Sequence, residues 1–352
     1  MTNKINIRFQ YKATLGGTLL ILATSLISAC SPAPANRVLQ DTTLRSIVPG
    51  YQQFAESSSQ LSRAASQFCA APEQNLEEFN TLRDAWRHTA LSWAAVQHLQ
   101  FGPLLEDNQA WKIQFWPDKK NLIARKVESL LRSDSPLDRE QIDKASVVVQ
   151  GLSSLEYLLF DSRAGQIQRY QDKTNHRRCD MLTAVSQHLQ GVASGLYNAW
   201  RSDDGDYTSH FTHTGKDNPE YPDDTVAMAN LLDSLVAGVE LIERDKLARP
   251  LGLDSEQAQV YLLEWWRSQY SKEMIIANLI ALQTLFSAGD GYGLDDYLSS
   301  QKQHSDLSLA IDEGFVRAIN SAHNQPGSLF IAATSPEHRP KLEALYSDIR
   351  TL

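Results

Sequence analysis

The stretch from Asp143 to Phe160 constrains the fold most. It reads DKASVVVQGLSSLEYLLF, the most apolar run after residue 30, and it continues without a turn signal for longer than strands usually reach. Length therefore favours a helix, although Val147, Val148 and Val149 are β-branched. On a helix Gln150, Ser153 and Glu156 fall at i, i+3 and i+6 and form one polar stripe. Val147, Val148, Leu152, Leu155, Leu158 and Leu159 cover the rest. Such a helix is buried on most sides and takes the Glu156 carboxylate inside with it. That carboxylate is either a structural group, capping a neighbouring helix or pairing with an arginine, or a ligand or catalytic group whose proton affinity burial has raised. The spacing leaves both readings open.

The same periodicity runs through the chain. Ile47, Tyr51, Phe54, Leu61 and Phe68 share a face of a first helix, with Pro49 in its first turn. Phe79, Leu82, Trp86, Ala90, Trp93 and Val96 define a second, stopped by Gly102-Pro103, and Leu122 to Arg132 a third. With 143–160 as the fourth, these form an up-and-down bundle over residues 41–172. A second set, 173–352, opens with Leu182, Val185, Leu189, Val192, Leu196 and Trp200 on one long helix. After a polar loop from Ser202 to Asp224 come helices over 226–247, 255–270, 271–287, 306–322 and 336–349, the last with Ser335 as N-cap and Pro336 at its first position. No segment alternates with a period of two. The expectation is an all-α chain of two bundle-like halves, since roughly 320 residues exceed what one core usually supports.

Residues 1–29 read as an export signal. Lys4, Arg8 and Lys12 precede an apolar segment, Leu15 to Ile27, too short and too interrupted to span a bilayer, and Leu26 to Cys30 closes it with small residues before a cysteine. That ending resembles a bacterial lipoprotein signal, which implies cleavage before Cys30 and a lipid on its thiol. Ser31 in place of Asp points to the outer membrane, and residues 30–40 are expected to be a tether. Removal of three basic residues takes the formal charge from −9 to −12. An acidic body disfavours nucleic acid, which needs clustered Lys or Arg. The two remaining cysteines, Cys69 and Cys179, suggest one disulfide in an oxidising compartment.

Motifs for common chemistries are missing. Asp203, Asp204, Asp206, His210, His213 and Asp217 crowd one loop, but their spacing fails the calcium-loop pattern, and the loop reads as solvated. There is no His-Glu-x-x-His, no Cys-x-x-Cys, no Gly-x-Ser-x-Gly and no phosphate-binding glycine loop. Two aromatic-proline segments stand out instead, Phe101-Gly102-Pro103 and Phe115-Trp116-Pro117-Asp118. They either plug a bundle end or wall a cleft. Arg267, in Trp265-Trp266-Arg267-Ser268, is a candidate partner for an inward carboxylate.

The ordered segments FGP, FWPD, QGLSSLEYLLF, RRC, LARPLG, WWRSQYS and IIANLIAL resemble imelysin-like proteins. These are exported bacterial proteins first described as insulin-cleaving metallopeptidases and often linked to iron uptake. The resemblance implies an all-helical fold of two halves with a site near their contact. Its Gly-x-His-x-x-Glu signature falls on Gly151 to Glu156, with Ser153 where the histidine stands. A serine hydroxyl is a poor ligand for zinc or iron. The site expected on this basis binds a ligand through Gly151, Ser153, Glu156, Trp116, Asp118 and Arg267, with no catalytic residue, no metal ligand and no resident cofactor assigned. The implied function is a non-enzymatic, periplasmic, lipid-anchored binding component of iron acquisition. Its partners would be the membrane through Cys30 and either a small ligand, iron or another metal species, or an iron-uptake protein. The alternative is an imelysin-type metallopeptidase with an altered metal site.

Overall fold

The computed structural model describes residues 33–172, 176–201, 206–254, 257–301 and 303–352. The expected export signal, Cys30 and the first residues of the expected tether lie outside the described residues. All regular structure among the described residues is helical.

The chain enters as α1 (Pro34–Thr42), passes through a π-helical stretch, Thr43–Ile47, and continues as α2 (Val48–Ala70). Pro49 is therefore well inside a continuous helix, not in a first turn. It has no N–H to give, and the wider π turn before it absorbs the lost bond. The tether expected to reach residue 40 ends sooner, because Val38 and Leu39 are fully buried on α1.

α3 (Leu76–Ala94) begins at Asn75, whose side chain accepts the Glu78 N–H. α4 (Gln109–Ile113), α5 (Leu122–Arg132) and α6 (Arg139–Lys144) follow. The single helix expected over 143–160 is broken. After α6 come one 3-10 turn, Val147–Val149, and an extended Gln150, and then α7 (Gly151–Phe160). Gln150 leaves the predicted polar stripe; its Nε2 donates to the carbonyls of Ile142 at 2.7 Å and Ala145 at 3.1 Å, satisfying the end of α6. α7 itself is buried from Gly151 through Leu159, as its composition predicted.

α8 (Arg177–Trp200) lies along α2 and also touches α7. A disulfide joins Cys69 at the end of α2 to Cys179 at the start of α8, Cα to Cα 5.4 Å. The first helix of the expected second half thus belongs to the first bundle, and residues 33–352 form one compact unit with no break near residue 172.

The segment read as a loop contains α9 (Tyr207–Thr212). α10 (Asp224–Glu240), capped by Asp223, runs through a π-helical stretch, Leu241–Ala248, into α11 (Arg249–Leu251). Of the helix expected over 255–270, the described part holds only a 3-10 turn, Val260–Leu262, and irregular backbone. Trp265 and Gln269 there are left-handed, with φ of 55° and 56°. α12 (Ser271–Ser287), α13 (Leu294–Ser300), α14 (Ser305–His323), α15 (Leu329–Ala332) and α16 (Arg339–Arg350) complete the chain. α12 packs on α10 and α14, and its contact with α3 ties the later helices to the earlier ones.

Candidate functional site

Gly151 fixes how the predicted site is assembled. Its φ is 62°, and a Cβ there would lie 2.2 Å from the Ile113 carbonyl oxygen and 2.3 Å from that of Lys112. Only glycine lets the end of α4 pass so close to the start of α7. The following segment, Gln114 to Asp118, is thereby set against Ser153 and Glu156.

Ser153, Glu156, Trp116, Asp118 and Arg267 do line one cavity, as the sequence suggested, and Gly151 serves from behind it. The cavity measures about 20 Å³. That admits about one water, whereas small-molecule clefts run to roughly 300–1,000 Å³. Glu156, Asp118, Trp116 and Arg267 are each hydrogen-bonded within the protein, while Nε1 of the buried Trp265, which also lines the cavity, has no partner. Glu156, 3% exposed, accepts at Oε1 from the Ser268 N–H at 3.0 Å and the Ser268 hydroxyl at 2.9 Å. Burial pushes its carboxyl above the usual range, against the opposing pull of the Arg267 charge and the Ser268 hydrogen bonds. Asp118 accepts the Leu122 N–H at 2.7 Å and the Ile123 N–H at 3.0 Å, and so caps α5. Trp116 donates from Nε1 to the Leu262 carbonyl at 3.0 Å. Arg267, its side chain 3% exposed, pairs with Asp161 at 3.3 Å, donates to Asn121 at 2.8 Å and lies over the Trp266 ring at 4.3 Å. Its ion-pair partner is Asp161; Glu156 feels its charge only as a neighbour.

A second constellation, which the sequence reading passed over, adjoins the first. Lys246 and Glu264, each 1% exposed, form an ion pair at 2.6 Å. The Lys246 ammonium also donates to Gln97 at 2.8 Å and Asn278 at 2.6 Å, so its three protons meet three acceptors. Glu264 further accepts from Gln114 at 2.8 Å and Gln97 at 3.1 Å, and its backbone carbonyl accepts the Ser271 hydroxyl. Burial lowers the Lys246 pKa, with Glu264 opposing. Gln114 belongs to both sets, since it also lines the Glu156 cavity. A usable signal existed. Glu264 in YLLEWW and Asn278 in IIANLIAL are lone polar residues in apolar runs, the pattern that singled out Glu156. Chemically the pair is saturated and offers no group to a substrate.

The family model described as Imelysin, Peptidase_M75, matches residues 47–352. Two solved structures share the fold. One is an imelysin-like protein from Psychrobacter arcticum 273-4, with a TM-score of 0.74 and 19% identity, covering 90% of this chain and 91% of that one. The other, from Parabacteroides distasonis ATCC 8503, is named a putative iron-regulated protein A precursor. It has a TM-score of 0.75 and 15% identity, over 92% of this chain and 95% of that one. No functionally curated protein matches.

Proposed function

The chain belongs to the imelysin family, and from that premise we propose that it is a non-enzymatic, lipid-anchored envelope protein that acts as a binding component in iron acquisition. The observation that carries this reading is the commitment of Glu156 to Ser268. A peptidase of the kind the family is named for needs a metal at the Gly-x-His-x-x-Glu position. Here the donor set does not fit one. Ser153 supplies a neutral hydroxyl where the histidine stands, Oε1 of Glu156 already takes two hydrogen bonds, and Asp118 is spent on capping α5. No trio of His, Cys, Asp or Glu suited to a metal occurs among the described residues.

The cavity at Glu156, about 20 Å³, leaves no room for an organic ligand, so the proposed binding lies elsewhere on the molecule. Iron is suggested by the name of the Parabacteroides relative and by the family resemblance. The anchor is suggested by residues 1–30, and Ser31 favours the outer membrane.

The test has two arms. Purified protein, assayed against a peptide panel with and without chelator, is expected to show no chelator-sensitive cleavage. A strain lacking the gene is expected to grow poorly in iron-limited medium, with rescue by the wild type and weaker rescue by Cys30→Ala. Stoichiometric zinc together with cleavage abolished by Glu156→Gln would sink the non-enzymatic reading, and normal iron-limited growth of the deletion strain would sink the iron role.

A further inference from the structure

α10 is buried far less than its composition calls for. Asp224–Leu251 has the length and apolar character of a membrane span, yet only 33% of its most apolar stretch is buried. It is nonetheless part of the folded body, since Asp223 caps it and Lys246 near its far end is held in the buried pair with Glu264. On its outer side Leu232 is 48% and Val236 59% exposed. Across a recess from them stand Leu307 of α14, 50% exposed, and Ile311 one turn further on. α10 and α14 both lie on α12 and hardly touch each other, so among the described residues no helix fills the space between them.

The recess is an open groove of about 450 Å³, floored by the buried rings of Phe286 and Phe315. Its walls run from Leu232 to Glu240 and from Leu307 to Phe315, about 12 Å each at the helical rise per residue. A docked helix that anchors itself at i, i+3 or i+4, and i+7 needs about that span. Apolar surface of this kind costs free energy in water until something covers it.

Charge decides what covers it. α10 and α14 carry Asp233, Glu240, Asp306, Asp312 and Glu313 at exposed positions, and their one arginine, Arg317, is paired with Glu313 at 3.8 Å. Arg244 pairs with Glu240 at 3.5 Å, and Glu243 and Arg350, which also line the groove, offset each other. The lips therefore stay net negative. We propose that this groove docks an amphipathic helix of a partner protein whose polar face is rich in Lys and Arg. A second copy of the chain would set one acidic lip against another. A bilayer is flat, whereas this apolar surface lies in a recess edged by carboxylates, which anionic lipid repels.

The inference goes beyond the iron-acquisition reading and rests on this face alone. It is tested on the full chain by fluorescence anisotropy with a labelled helical peptide of Leu and Lys, apolar on one face, and with its Leu and Glu counterpart. The Lys peptide is expected to bind, more weakly as salt is raised, and the Glu peptide to stay free. Leu232→Glu and Val236→Glu change exposed positions and are each expected to weaken binding at least tenfold with helical circular dichroism unchanged. Both add negative charge, so attraction to acidity alone would strengthen binding instead. A free Lys peptide, a Glu peptide bound as tightly, or binding undiminished in both variants overturns the proposal. A wild type that sediments as a dimer split by Leu232→Glu gives the face to a second copy and overturns it too. Displacement of the Lys peptide by phosphatidylcholine vesicles gives the face to a bilayer, with the same consequence. Growth of the deletion strain reads the iron role separately. If the peptide stays free while that strain grows poorly in iron-limited medium, the groove falls and the iron role stands; a bound peptide with normal growth has the opposite meaning.

Discussion

His98 is 3% exposed, and neither of its ring nitrogens has a hydrogen-bond partner. Burial first, and then the charge of Lys246, lowers its pKa to about 4. The unfolded chain takes up a proton at this residue near pH 6.5 and the folded chain only near 4. Between those values the unfolded state binds more protons, so stability falls as pH falls. The expected loss is about 3 kcal/mol across that window, at 1.36 kcal/mol per pKa unit. Urea midpoints measured from pH 7 to pH 4 check this, and His98→Leu should flatten the slope; an unchanged slope in that variant would assign the acid limb to other groups. At this scale the sequence reveals which residues are unusual but not what they meet. Glu156 was visible as a lone acid in an apolar run, whereas its partner Ser268 lies 112 residues further on. Asp118 and Arg267 line the same cavity, yet each is engaged by neighbours, the α5 amides and Asp161, that spacing does not disclose.

Lys246 and Glu264 act between elements. The ammonium sits on the π-helical stretch Leu241–Ala248, and its acceptors come from the turn after α3, from the irregular segment before α12, and from α12 itself. Removing one partner leaves a buried charge uncompensated, at a cost of about 3–5 kcal/mol. Lys246→Met and Glu264→Gln are each expected to lose that much, and the double variant to recover most of it, in a denaturant-derived double-mutant cycle. Single variants within about 1 kcal/mol of wild type would show that the pair does not lock these elements together. The helices that the sequence placed well, α3, α5, α8 and α12, each bury an apolar stripe, although α3 stops at Ala94, short of the Gly102-Pro103 expected to end it. Those that it misplaced are broken by contacts from elsewhere. The 143–160 run breaks where the carbonyls of Lys112 and Ile113 demand a glycine, a requirement that hydrophobic periodicity does not carry. The 255–270 run gives up helix so that Glu264 and Ser268 can both turn inward, and the left-handed Trp265 and Gln269 cost about 1–2 kcal/mol each for it.

Across the whole molecule, the pairing of α2 with α8 decides the topology, because it draws the first helix after residue 172 back onto the second helix of the chain. This is why composition and length suggested two halves where the contacts make one body: local periodicity marks helices, and nothing local marks which distant helix each one meets. The Cys69–Cys179 bridge holds that pairing and spans 110 residues of sequence. A loop of this length restricts the unfolded chain enough to stabilise the native state by up to about 4–5 kcal/mol in the loop-entropy account. Both cysteines line an open cavity of about 350 Å³ with His176 and Asp180, which offers a thiol reductant a route to the bridge. Reduction, or Cys69→Ala with Cys179→Ala, is therefore expected to lower stability by an amount approaching that figure while leaving the helical circular dichroism intact. Because the effect acts on the unfolded ensemble, the released chain should also expose more surface on unfolding and show a steeper denaturant dependence. Urea titrations of oxidised and reduced protein measure both quantities together. Equal midpoints with equal slopes would mean that the α2–α8 packing alone sets the topology and that the bridge adds nothing to it.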